Sequence, residues 1–301
     1  MRIRNAVLFL RDEALAALGK RRAAREPVAY RLQGKTVDRF GGPSPLQERN
    51  GMPPNVDHAP FLLLSIRAED AAADDEYLAM MRFAGLDAHG MHRIRLTHSR
   101  LGPIDLTEWS GIILGGGPYN ISDPVEEKLA TQRRVESELL ELIGRVADED
   151  FPFLGCCYGV GTLGAVVGAT VDRTYPEPVG AVTISLTPAG REDPLFAGLP
   201  GVFDAYGGHK EAASALPAGV VALATSPDCP VQAFRVGENT YATQFHPELD
   251  VDGICTRIDV YKDYGYFAPE SAEVLKNAAR QRNIEHPPTI LRRFVERYAR
   301  R

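Results

Sequence analysis

Phe153-Leu154-Gly155-Cys156-Cys157-Tyr158-Gly159 runs from strand-forming residues into a Gly-x-Cys-x-Gly turn, and Val160 to Val167 continues with helical character. The glycines have a steric purpose, because a sharp strand-to-helix turn brings the two backbones too close for side chains. A nucleophile on such an elbow stands above a sheet in a strained conformation. It also sits at a helix N-terminus, where the dipole and free N–H groups favour a thiolate. Side chains alternate along a strand, so the adjacent cysteines cannot both face one site. Cys157, central between Gly155 and Gly159, is the candidate nucleophile, and Cys156 is expected in the core as a small apolar residue. Taken alone, the pattern fits a buried structural cysteine at a tight turn equally well.

Upstream of the elbow, Phe61-Leu62-Leu63-Leu64-Ser65-Ile66 reads as a strand buried on both faces. Asp74 to Ala84 reads as a helix closed by Gly85. Further strands are expected over His92–Leu96, Gly111–Leu114 and Phe151–Leu154, with a long helix over Pro124–Ala147. This alternation predicts an α/β protein with an open, mostly parallel sheet flanked by helices. Downstream, shorter strands are expected over Val179–Leu186, Val220–Thr225, Val231–Val236 and Tyr241–Phe245, and two helices, Pro269–Arg282 and Pro288–Arg300, close the chain.

A second signal lies at the last of these strands. Tyr241-Ala242-Thr243-Gln244-Phe245-His246-Pro247-Glu248 ends a strand in a histidine with a carboxylate two residues on. Open α/β sheets place their sites at such carboxyl ends. Glu248 could orient the imidazole while His246 carries the proton, the logic of a triad with a cysteine nucleophile.

The two motifs together resemble those of the class I, triad-type glutamine amidotransferases, most of all the amidotransferase domain of GMP synthase and its stand-alone relatives. The likeness extends from about Phe61 to about Asp250. It includes Gly111-Ile112-Ile113-Leu114-Gly115-Gly116-Gly117-Pro118, similar to the family's Ile-Leu-Ser-Gly-Gly-Pro loop. It also includes Gly208-His209-Lys210-Glu211, similar to its Ser-His-Gly-Asp segment. The resemblance implies that Cys157 attacks a γ-carboxamide and that His246 moves the protons while Glu248 holds His246. It implies an oxyanion hole from the backbone N–H groups of Gly117 and Tyr158, and substrate contacts around Gly116, Gly161, His209 and Gln244. One departure stands out: the family's elbow ends in a Gln that binds the amino-acid end of the substrate, and here that position is Gly161. The missing side chain is expected to weaken glutamine binding or widen the pocket.

The expected reaction is hydrolysis of glutamine to glutamate and ammonia, the ammonia going to a separate synthetase subunit, since no phosphate loop of a synthetase is present. A free-standing γ-glutamyl hydrolase or peptidase is the alternative, and a non-catalytic binding module is a third reading that the intact Cys, His and Glu disfavour. No metal or nucleotide motif is seen, so no cofactor is expected.

Composition is ordinary for a soluble globular protein: 44% of residues are hydrophobic and 25% charged, with a net charge of −6. Four cysteines without disulfide or zinc spacing suit a reducing compartment, and the chain reads as cytoplasmic, with no membrane or nucleic-acid partner. Residues 1–60 carry 11 Lys or Arg against 6 Asp or Glu, so a basic head precedes an acidic body. That segment reads as an N-terminal extension, with a helix over Asp12–Arg25 and a Gly- and Pro-rich linker over Gly34–Pro60. Met52 is a candidate initiator. The expected domain covers residues 61–250, and the C-terminal helices of residues 251–301 are expected to pack on it.

Overall fold

The computed structural model describes residues 59–300. The extension before residue 59, with its expected helix over Asp12–Arg25 and almost all of the linker, lies outside them. The first half of the described chain alternates as expected: β1 (Phe61–Ser65), α1 (Asp70–Ala84), β2 (Met91–Arg95), β3 (Gly111–Leu114), α2 (Ala130–Asp148), β4 (Phe153–Cys156) and α3 (Tyr158–Val167). Then come β5 (Thr170–Asp172), β6 (Glu177–Leu186), a short helix α4 (Pro188–Glu192), β7 (Val202–His209), β8 (Ala212–Ala215), β9 (Val221–Thr225), β10 (Ala233–Val236) and β11 (Thr240–Thr243). Three helices close it: α5 (Val251–Tyr261), α6 (Ala272–Arg280) and α7 (Pro288–Tyr298).

Several boundaries differ from the sequence reading for local reasons. α1 starts at Asp70 rather than Asp74, because Ala71, Ala72 and Ala73 are the best helix formers available and Ala73 N–H already bonds the Glu69 carbonyl at 2.9 Å. It stops where Gly85 takes a φ of 74°, letting Leu86 N–H reach the Met81 carbonyl. α2 starts at Ala130, not Pro124. Glu127 N–H closes a turn on the Pro124 carbonyl, and Lys128 is drawn inward onto Glu136 at 2.6 Å. β5, α4, β7, β8 and α5 were not expected. β7 contains Gly207-Gly208, which reads as a loop, yet a Cβ on Gly208 would lie 2.8 Å from Val179 Cα, so the glycine permits a close approach between paired strands.

Nine strands form one sheet in the order β2-β1-β3-β4-β11-β10-β9-β6-β7, and β5 pairs with β8 apart from it. The pairs among β2, β1, β3, β4 and β11 are parallel; β10, β9, β6 and β7 continue the sheet antiparallel. The chain steps from β1 outward to β2 and then back across to β3, so the strand order reverses beside β1, where open α/β sheets bind ligands. Both sheet faces are covered. Leu62, Leu64, Ile112 and Leu114 meet Val135, Leu139, Ile143 and Val146 of α2 on one side. On the other, Phe61, Leu63 and Ile113 meet Met80 of α1 and Ile290, Leu291 and Phe294 of α7. Burying those three α7 side chains stabilises the fold by about 2 kcal/mol each, so α7 is part of the core.

Candidate active site

Cys157 joins β4 to α3 with φ 55° and ψ −87°, a conformation that non-glycine residues seldom adopt. Its N–H is held by the Thr243 carbonyl at 2.7 Å. The turn is this tight only because position 155 is glycine: a Cβ there would lie 2.7 Å from Gly159 Cα. Cys156 is fully buried, and burial pushes its thiol well above the ordinary value, so it is unsuited to attack. Gln244 Nε2 lies 3.9 Å from Cys157 Sγ.

The parallel pairing of β4 with β11 sets Cys156 opposite Thr243, so the residues that follow each strand emerge side by side. His246 is among them, its N–H bonded to the Tyr206 carbonyl. Its Nδ1 meets Oε1 of the fully buried Glu248 at 2.7 Å, which leaves Nε2 as the nitrogen free to exchange a proton. Burial by itself would lower the histidine pKa. The charges of Glu248 and Cys157 outweigh it and raise the value to about 9. Burial opposes ionisation of Glu248 too, and His246, with Arg257 and Arg67 beyond it, holds that carboxyl below its ordinary value.

The loop after β3 needs all three of its glycines. A Cβ on Gly115 would lie 2.6 Å from Glu76 Oε2, and one on Gly117 would lie 2.5 Å from Ile66 Cγ1. A Cβ on Gly116 would meet His246 Cε1 at 2.6 Å and Cys157 Cβ at 3.2 Å, so this backbone is pressed between the two. Tyr158 opens α3, where the first N–H groups of a helix lack intrahelical partners and suit an anion.

The sequence profile of a family described as "Glutamine amidotransferase class-I" matches residues 91–252, more than half of the chain. The chain belongs to the class-I glutamine amidotransferases. Among similar proteins, the glutamine-hydrolysing GMP synthase of Porphyromonas gingivalis is 34% identical over 148 residues, 49% of this chain and 26% of that protein. That of Thermosipho africanus is 33% identical over 141 residues, 46% of this chain and 24% of that protein. The chain thus aligns with about a quarter of these relatives' length. A glutamine amidotransferase structure from Thermotoga maritima superposes with a TM-score of 0.65 at 20% identity, covering 80% of this chain and 98% of that one; this shares the fold.

Against this amidotransferase background, two expected substrate residues are occupied elsewhere. His209 is buried at the end of β7, its Nε2 on Glu177 Oε2 at 2.8 Å and its Nδ1 on the Glu211 carbonyl at 2.9 Å, so neither ring nitrogen is free for a ligand. Gly161 does not widen the pocket. A Cβ there would lie 2.6 Å from Glu211 Oε1, and the Glu211 carboxylate fills the space while accepting the N–H groups of Ile121 and Ser122 at 2.9 and 2.8 Å. The expectation of open room at Gly161 is therefore corrected.

The space lies along other residues that flank the nucleophile. An open cleft is lined by Cys157, Gly117, His246, Arg67, Arg257, Tyr261 and Tyr266 among others. The last four were not singled out from the sequence. Arg67 follows β1 and pairs through Nε with buried Glu76 at 2.8 Å, while its Nη1 reaches Tyr261 Oη at 3.2 Å. Arg257 and Tyr261 lie on α5, whose Ile254, Ile258 and Tyr261 recur at helical spacing, a signal that could have revealed the helix. Among the described residues, no group of three or more His, Cys, Asp or Glu comes together as a metal site would require. No helix there is long and apolar enough to cross a membrane.

Proposed function

We propose that this chain hydrolyses the γ-carboxamide of glutamine, or the corresponding amide of a γ-glutamyl compound, through a γ-glutamyl thioester on Cys157. The observation that carries this reading is the strained Cys157 at the head of α3, with the Glu248-held imidazole of His246 packed on the same glycine. The thiolate adds to the amide carbon, and the developing oxyanion faces the backbone N–H groups of Gly117 and Tyr158. Removing one such donor generally costs about 3–4 kcal/mol of barrier. His246, protonated at neutral pH by the charges beside it, gives its Nε2 proton to the departing nitrogen as the C–N bond breaks. It then takes a proton from water, which attacks the thioester, releases glutamate and restores the thiolate.

When glutamine is the substrate the leaving group is ammonia, which a separate acceptor enzyme would consume. A specific feature favours the second substrate class, γ-glutamyl compounds with larger leaving groups: ammonia needs neither the cleft that His246 lines nor the arginines in its wall. The test is glutamate release by purified protein from glutamine, a γ-glutamyl alkylamide and glutathione. Activity on at least one supports hydrolysis at Cys157; inactivity on all three removes it.

A further inference from the structure

We propose that Arg257, with Arg67 beside it, forms a carboxylate-binding subsite in this cleft, and that the substrate's leaving group carries that carboxylate. The substrate class is then γ-glutamyl amino acids and peptides. This rests on the reading that Cys157 hydrolyses γ-glutamyl amides.

Arg257 is the unusual residue. Its side chain is only 6% exposed, it lines the cleft together with Cys157 and His246, and its Nε, Nη1 and Nη2 are all buried without a hydrogen-bond partner. Asp75 is the nearest carboxylate, its Oδ2 3.7 Å from Nη2 and beyond hydrogen-bond reach, and Glu76 and Glu248 act on the guanidinium through charge without a hydrogen bond to it. The other charges around the cleft are matched at close range. Arg67 pairs with Glu76 at 2.8 Å, and His246 with Glu248 at 2.7 Å. A buried guanidinium with unmet donors is costly, and a carboxylate meets its planar fork with two parallel hydrogen bonds. Arg67 Nη2 and Cys157 Cβ each lie 3.2 Å from where a Cβ on Gly116 would stand, so a second cation of this cleft borders the nucleophile.

The placement assigns the carboxylate to the leaving group. His246 protonates the departing nitrogen, and the cleft that His246 lines is also lined by Leu249, Ile254 and Arg257. The room at Gly161 is filled by Glu211. The apolar walls of Leu249, Ile254 and Phe267 reduce screening there. Arg67, Arg257, Tyr261 and Tyr266 all lie outside residues 91–252, the stretch that carries the family match. In the acylation step the Cys157 S–C bond forms and the amide C–N bond breaks. The amino acid leaves with the His246 proton on its nitrogen and its carboxylate still on Arg257.

The test compares kcat/KM for γ-glutamylglycine, γ-glutamylglycinamide and 4-aminobutanoylglycine. These keep both carboxylates, lose the leaving group's, and lose the acyl group's. Wild-type protein should prefer γ-glutamylglycine over the glycinamide by roughly 10- to 100-fold, the worth of hydrogen bonds to a charged group. Arg257→Met should bring that ratio close to one, whatever its absolute rate, and Arg257→Lys should restore part of it. Equal wild-type rates on glycine and glycinamide substrates overturn the proposal while leaving hydrolysis at Cys157 intact, and that comparison needs no variant to fold. An Arg257→Met loss of equal size on γ-glutamylglycine and γ-glutamylglycinamide, and absent on 4-aminobutanoylglycine, also overturns it, by moving the carboxylate to the acyl end. Failure on every γ-glutamyl compound would instead remove the reading beneath it.

Discussion

Glu211 occupies the room that Gly161 leaves beside the elbow: its Oε1 stands 2.6 Å from where a Cβ on Gly161 would lie, and its two oxygens hold the N–H groups of Ile121 and Ser122. The two positions depart from the family's Gln and Asp together, so they should behave as a coupled pair. Gly161→Gln alone should displace Glu211 and lower Tm by on the order of 5 °C, since hydrogen bonds to a charged group are worth roughly 1.5–3 kcal/mol each. Adding the shorter Glu211→Asp should recover part of the loss, a non-additivity expected of residues in contact. Thermal melts of the two single variants and the double variant check this. Additive losses would show that the side chains do not compete for one space.

Proton transfer and orientation should separate by mutation. His246→Ala removes the only imidazole beside Cys157 among the described residues and should lower turnover by at least about 100-fold. Glu248→Gln keeps a hydrogen-bonding partner for Nδ1 and should leave measurable activity. The double variant should be little worse than His246→Ala, because the residues act as a unit. Steady-state glutamate release from the three proteins is the measurement.

The His246–Glu248 pair also makes a pH prediction. The folded-state pKa of His246 is raised from 6.5 to about 9, so the pair's stabilisation is fully present below about pH 6.5 and is lost as pH rises through 9. Imidazole NMR should find the titration near pH 9. In Glu248→Gln it should fall toward or below 6.5, because burial then opposes the imidazolium with less to offset it. The Tm gap between wild type and Glu248→Gln should narrow between pH 6.5 and 9.5.

How much of this was legible in the sequence depended on whether a residue sits inside a local pattern. β1, β3 and β4 are short apolar runs bounded by turns, and the parallel sheet follows from their rhythm. Cys157 and Gly115 directly follow β4 and β3, and His246 stands three residues past β11, so reading the strands located them. β7 was missed because its two glycines break the strand pattern, although they are what allow β6 and β7 to approach. Arg67 and Arg257 are single charged residues far apart in a chain rich in charge. Only the fold, by laying α5 against α1 and above the end of β1, makes them neighbours of the nucleophile. The filling of Gly161 was equally hidden, since nothing local says where the Glu211 side chain turns.

Stability should respond to α7 more than to the extension. Phe294 is fully buried against Phe61, with ring centroids 5.9 Å apart, and Phe294→Ala should cost about 3–5 kcal/mol. A chain beginning at Met52 retains every residue of the three described cores and should keep its fold and hydrolytic activity. Denaturant melts of both proteins, with glutamate release for the shortened chain, test this. Loss of folding on removing residues 1–51 would place part of the core or the site in that segment.

In the proposed reaction one sulfur, Cys157, carries the acyl group. A glutamine-like diazo-ketone reacts only with a nucleophile activated in the glutamine geometry, so its site of attachment identifies that sulfur directly. Protein inactivated by the reagent should carry one adduct, mapped to Cys157, with glutamate release lost in proportion to labelling and Cys157→Ala neither labelled nor active. An adduct on Cys156, Cys229 or Cys255 in the inactivated protein, or undiminished turnover in Cys157→Ala, would contradict it.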